Sequence, residues 1–223
     1  MENGMFLMDM MGTFAFASYG AYFAIKKDFD IFGIFVCAFL PGVGGGTIRE
    51  IILGHIPFYF SDSRYILNII IAIIFTIFVY KHFHRINNFM LFLDAIGLVA
   101  FAIIGSEKAL GANMGLFGFI FFATITSVGG GIMRDIVMNK VPEIMHSDFY
   151  ASVAIIIGLV FWTQRDMANN ALFIGSLFVT GLAMRMLAIA SKFNLWRPPK
   201  NISLEKLVPL RMNSIFIKND END

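Results

Sequence analysis

Seven apolar stretches, at about residues 5–25, 32–53, 64–81, 89–110, 116–138, 149–164 and 171–191, follow one another along this chain with only short polar connections between them. A helical crossing of a bilayer needs roughly 20 mostly apolar residues, so the pattern predicts an all-α membrane protein with seven transmembrane helices. Composition agrees: 57% of the 223 residues are hydrophobic and 15% are charged, where a soluble domain carries about 25% charged residues. The short-period alternation of a membrane β-barrel is absent from these runs. The formal net charge of +1 gives no case for a nucleic-acid partner. Cys37, the single cysteine, has no second thiol for an intrachain disulfide. The start, "MENGMFLMDMMG", lacks a basic n-region, so it reads as the first span rather than a cleaved leader. From Ser191 the chain turns polar, and Pro198–Pro199 mark its departure from helix.

Seven crossings put the termini on opposite sides. Lys26, Lys27, Lys81, Arg85, Lys140, Lys192, Arg197 and Lys200 fall on one side, Arg64 and Arg165 on the other. The positive-inside rule then predicts a multi-pass protein of the inner (plasma) membrane, with the N-terminus outside and residues 192–223 as a cytoplasmic tail.

Shifting the sequence by 85 residues superposes the first half on the second without a gap. Asp9 meets Asp94, Gly20 meets Gly105, Phe32-Gly33 meets Phe117-Gly118, and Tyr65 meets Tyr150. The phrase "VGGGTIRE" (Val43 to Glu50) meets "VGGGIMRD" (Val128 to Asp135), and Pro57 meets Pro142. Each copy holds three spans, an odd number, so the second copy enters the membrane from the opposite side. Residues 1–85 and 86–170 are thus expected to form two inverted three-helix repeats, with 171–191 as a seventh helix outside both. Such repeats place a polar site or pathway near the midplane between the halves.

Gly44, Gly45, Gly46 and Gly129, Gly130, Gly131 have two readings. Small residues let neighbouring helices approach closely. Three consecutive glycines, however, point to every face of a helix, and Pro41-Gly42 precede the first set. That favours a broken or kinked helix. A break would leave carbonyls that favour cations at one half-helix end and N–H groups that favour anions at the other. Two such breaks would converge on one polar lumen.

Charges accompany the triplets. Asp9 and Arg49 are expected at matched depth in the first repeat, and Asp94 and Arg134 in the second, which predicts two ion pairs that make the arginines tolerable in lipid. The competing arrangement is snorkelling of each arginine to its own interface. Glu50 and Asp135 directly follow the arginines; adjacent helical residues point about 100° apart, so they are expected not to pair but to face the lumen or a loop. Lys108, with Glu107, stands where the first copy has Tyr22-Phe23, and reads as a functional charge or an interfacial anchor. Asp28 and Asp30 read as solvated loop charges. His82 and His84 lack a third ligand, so no metal site is expected. No nucleophile–base pair, phosphate loop or cofactor fingerprint occurs, which leaves no case for an enzyme and implies no cofactor.

Two copies of "VGGG-x-x-R-[DE]" with a proline seven residues on, three spans per copy, a seventh span, and "LDAIGLVAFAIIGSEKAL" (Leu93 to Leu110) resemble the prokaryotic branch of the trimeric intracellular cation channel family. The resemblance covers residues 5 to about 190. It implies a homotrimer among membrane lipids, a pore in each protomer, spans 2 and 5 kinked at the triplets, and passage of potassium or other monovalent cations. It also implies pore and gating roles for both triplets, Arg49 and Arg134. The chain departs from the eukaryotic branch, which has a lysine-glutamate-valine pattern after one triplet, so lipid-headgroup regulation is not carried over. A small-solute carrier of the glycine-uptake type is the alternative, since a broken-helix N-terminus suits a carboxylate.

Overall fold

The computed structural model describes residues 2–82, 87–145 and 149–191. His84 and Arg85 of the third connection and the tail from residue 192 lie outside the described residues. Seven helices follow in order: α1 Glu2–Lys26, α2 Ile31–Ile52, α3 Arg64–His82, α4 Asn87–Gly111, α5 Leu116–Val137, α6 Tyr150–Thr163 and α7 Ala171–Ser191. Short 3-10 turns lie at Phe58–Phe60, Glu143–Met145 and Arg165–Met167, and the described residues include no strand. Every predicted span is a helix. Five helices (α2, α3, α4, α5, α7) are long and apolar enough on their own to cross a membrane. The sixth has 14 residues, about 21 Å at the α-helical rise, short of the roughly 30 Å of a hydrocarbon core.

The helix ends repeat with the sequence. Asp28 ends α1 and Asn113 ends α4, each with a left-handed backbone (φ 55° and 53°). Gly54 and Asn139 do the same after α2 and α5 (φ 75° and 52°). In both cases the two residues are 85 positions apart, and Gly, Asn and Asp are the types that tolerate this conformation. Asp30 is not merely a loop charge: its Oδ1 accepts from the N–H of Gly33 at 2.7 Å and caps α2.

Packing repeats as well. A Cβ placed on Gly12 would meet the Phe101 ring at 2.9 Å, and one on Gly97 would meet the Phe16 ring at 2.4 Å, so α1 and α4 cross through reciprocal contacts. A Cβ on Gly20 would lie 1.9 Å from the Cys37 carbonyl oxygen, and one on Gly105 would lie 2.2 Å from that of Phe122. These are the close approaches of α1 to α2 and of α4 to α5, where only glycine fits. The fourth helix is the most buried and packs on α1, α5, α6 and α7. In contrast, α7 buries one stripe, Ile174, Leu177, Gly181 and Arg185.

The expected breaks are absent. Both α2 and α5 are helical throughout their triplets. The glycines form the crossing of these two helices instead: a Cβ on Gly45 would stand 2.0 Å from the Thr126 carbonyl oxygen, and one on Gly130 would stand 2.4 Å from that of Pro41. A Cβ on Gly129 would lie 3.2 Å from the Cα of Gly45. Because backbone meets backbone here, two of three glycine faces are needed for contact alone, and the free half-helix ends of a broken helix do not arise.

Candidate functional site

Two clusters of buried charge sit at corresponding ends of α2 and α5. In the second half, Asp94 on α4, Arg134 and Asp135 on α5, Tyr150 at the start of α6 and Arg185 on α7 are all buried. Arg134 donates from Nη1 to Asp94 Oδ1 at 2.8 Å and from Nε to Asp135 Oδ1 at 2.9 Å. The same Asp94 oxygen accepts from the Tyr150 hydroxyl at 3.3 Å. The guanidinium of Arg134 lies 4.2 Å from the centre of the Tyr19 ring, and that of Arg185 lies 4.5 Å from the centre of the Tyr150 ring. Charge-assisted hydrogen bonds and aromatic faces together satisfy cations that a low-dielectric site otherwise excludes. The predicted Asp94–Arg134 pair is present. Gly131, Arg134, Asp135, Ile144 and Tyr150 pack together beside it and leave no room for a water molecule.

The first half keeps the aspartate–tyrosine contact and changes the rest. Tyr65 donates to Asp9 Oδ2 at 2.5 Å. Arg49 is not paired with Asp9; it gives both Nε (2.9 Å) and Nη2 (2.6 Å) to Glu50 Oε1. The other oxygen of Glu50 faces His55 Nδ1 at 3.2 Å. Two expectations are corrected here. Adjacent residues do pair, because an arginine side chain is long enough to fold across the angle between neighbouring Cβ directions. Asp9 is left to Tyr65 because glutamate, one methylene longer than aspartate, reaches both donors on the same edge of Arg49. The shorter Asp135 takes Nε of Arg134, while Nη1 goes to Asp94.

Glu50 and Asp135 are buried rather than turned to a loop. Lys108 is exposed near the end of α4. Its counterpart Phe23 packs near Arg134 (5.9 Å) and under Lys140 (3.4 Å), so the substitution removes an aromatic support from the Arg49 side. Arg49 finds the Phe58 ring instead, at 5.9 Å. Outside the spans, the Arg64 guanidinium grips both oxygens of Asp62 and holds that carboxyl below the usual carboxylate range. No group of three or more potential metal ligands occurs among the described residues.

Arg185 and the two tyrosines carry contacts that the spacing of motifs did not single out. The signal for Arg185 was present: it is the only charge in residues 171–191, and arginine inside a span is unfavourable without a partner.

Comparison with known proteins places this geometry among its relatives. Residues 6–81 and 91–165 match the family described as "Glycine transporter", the two segments corresponding to the two halves. The chain is 36% identical over 186 residues to the UPF0126 inner membrane protein YadS of Escherichia coli K12, covering 82% of this chain and 90% of that one. A TRIC cation channel solved to explain conductance is similar over 86% of this chain and 96% of its own, at 33% identity and a TM-score of 0.78. The trimeric intracellular cation channel orthologue of Rhodobacter sphaeroides is similar over 85% and 98%, at 31% identity and a TM-score of 0.77. These relatives are channels and membrane proteins, not enzymes.

Proposed function

The chain belongs to the bacterial membrane-protein family that the glycine-transporter description covers and that includes the prokaryotic TRIC channels, and from that membership and the two charge clusters we propose that it is a monovalent cation channel with potassium as its main ion. It acts as a homotrimer in the inner membrane, with a pathway through each protomer, as the TRIC relatives suggest. Residues 1–85 and 86–170 are the two inverted repeats, 171–191 is the added helix, and 192–223 is a cytoplasmic tail. The orientation has the N-terminus outside. Its support is that Lys27 bonds the Met138 carbonyl and Lys140 covers Phe23, which gathers the basic ends of α1 and α5 on one side.

The carrying observation is a set of buried hydroxyls between the clusters. Thr13 and Ser18 on α1 and Thr126 on α5 have buried side-chain oxygens with no hydrogen-bond partner, as does Oδ2 of Asp94. Buried polar atoms are rarely left unmet. Such oxygen acceptors, on α1 packed against α2 and on α5 itself, suit a partly dehydrated monovalent cation. At the outer cluster Asp9 and Glu50 stand beside Arg49 and Lys108, so acidic and basic groups balance at that mouth. The tight Gly45–Thr126 and Gly130–Pro41 crossing is then the closed point, and Gly44 to Gly46 and Gly129 to Gly131 let α2 and α5 part there. Arg49, Arg134, Asp9, Asp94, Glu50 and Asp135 hold the two ends, while Lys108 marks the outer rim.

The family description favours a second reading, a carrier of glycine-sized solutes. Purified protein in liposomes separates the two. A potassium gradient that drives valinomycin-independent potassium flux, unchanged by glycine, supports the channel; saturable glycine uptake without such flux supports the carrier and overturns it.

A further inference from the structure

We propose that Arg185 of α7 is a positioning residue for the second-half cluster, holding Tyr150 so that its hydroxyl fixes Asp94 against Arg134. The inference rests on the channel reading only for its consequence in gating; the positioning itself stands on contacts.

Four observations lead there. Arg185 is among the largest fully buried side chains, at 2% exposure, and its guanidinium covers the Tyr150 ring at 4.5 Å. Tyr150 is the first residue of α6, directly after Phe149 in a left-handed conformation (φ 65°), so its own helix places no preceding turn around the phenol. Gly131 backs the hydroxyl closely: a Cβ there would lie 3.0 Å from the Tyr150 oxygen. Finally, the first-half counterpart has no such clamp. The Tyr65 ring is held by aromatic rings instead of a cation, Phe58 at 4.3 Å and Phe6 at 6.1 Å between centres, and no seventh helix belongs to that half.

The chain of contacts is short. Arg185 meets the Tyr150 ring, the Tyr150 hydroxyl donates to Asp94 Oδ1, and that oxygen also accepts from Arg134. Arg185 ends the single buried stripe of α7, which higher up packs Gly181 on Ile157 and Val99. A displacement of α7 therefore moves Arg185 off Tyr150, removes one of the two donors from Asp94, and loosens Arg134 at the end of α5. The added helix thus makes the two ends of the pathway unequal, with the inner end answering to α7 and the outer end not.

The test compares full-length wild type, Arg185→Met and Arg185→Lys in detergent or lipid. Hydrogen exchange is followed at the last turn of α5 (134–138) and at the corresponding turn of α2 (49–53). The proposal expects faster exchange at the α5 turn in Arg185→Met, on the order of tenfold, as for loss of a desolvated cation–π contact. It expects no change at the α2 turn, and partial recovery in Arg185→Lys. Equal acceleration at both turns, or none at either, overturns it. Planar-bilayer recording of the same proteins is the second arm: open probability should change in Arg185→Met with unit conductance kept. Absence of steps in wild type with the localised exchange effect present removes the channel reading and leaves the positioning role; steps with no localised effect do the reverse.

Discussion

Arg134 reaches across from α5 to Asp94 on α4 at 2.8 Å, while its counterpart Arg49, 85 residues earlier, takes its ion pair from the Glu50 beside it. One methylene separates the two outcomes. The family motif allows either acidic residue after the arginine, and the choice decides whether the arginine ties two helices together or only itself.

Asp94 should therefore matter more to stability than Asp9. Asp94→Asn removes the carboxylate that Arg134 reaches across the helix interface, in a site where both side chains are 1% exposed, and breaking a buried pair of this kind costs about 3 kcal/mol. Asp9→Asn replaces the carboxyl that accepts from one tyrosine hydroxyl, worth about 1 kcal/mol. Denaturation of the purified proteins in micelles measures the difference; equal losses would contradict the unequal pairing.

The role of side-chain length is separately testable. Asp135→Glu should copy the first-half arrangement, drawing both donors of Arg134 to residue 135. A double-mutant cycle between Asp94 and Arg134 should show a coupling of about 1–3 kcal/mol in wild type, falling towards zero in the Asp135→Glu background. A coupling that survives the extra methylene would show that something other than reach sets the pairing.

Gly45 and Gly130 should not accept a methyl group. Each would drive a Cβ to within 2.0 and 2.4 Å of a backbone oxygen that cannot rotate away. Alanine at either should destabilise by about 1–3 kcal/mol or more by forcing α2 from α5. Gly175 on α7, with nothing within 4 Å, is the control: Gly175→Ala should be neutral or slightly stabilising, since alanine favours helix by about 1 kcal/mol. Thermal melting of the three variants provides the comparison.

Thr126→Val separates conduction from folding. The Thr126 hydroxyl is buried and meets no partner, and replacing such a group by an apolar one of the same shape is close to neutral for stability. If the hydroxyl instead serves a passing ion, potassium flux should fall severalfold with the melting temperature unchanged. A flux equal to wild type would remove Thr126 from the pathway.

Much of this molecule could be read before its coordinates. Apolar runs placed all seven helices to within a few residues, and the 85-residue register paired Gly20 with Gly105, which stand at corresponding close approaches to Cys37 and Phe122. The triplets misled because glycine's low helix propensity argues for a break, whereas a backbone-to-backbone crossing needs the same residues with the helix intact. Asp9–Arg49 misled because matched depth says nothing of competition from a longer neighbour. Arg185 escaped notice since α7 lies outside the repeat that directed attention, although an isolated arginine in an apolar run was itself a signal.

The central claim is that the two clusters bound a cation path within each protomer. Its most direct test is single-channel recording of the purified wild-type protein in a planar bilayer under a potassium chloride gradient. The account predicts discrete steps that reverse near the potassium equilibrium potential, before and after addition of glycine. Steps that reverse at zero or at the chloride potential, or no steps together with saturable glycine uptake, would contradict it.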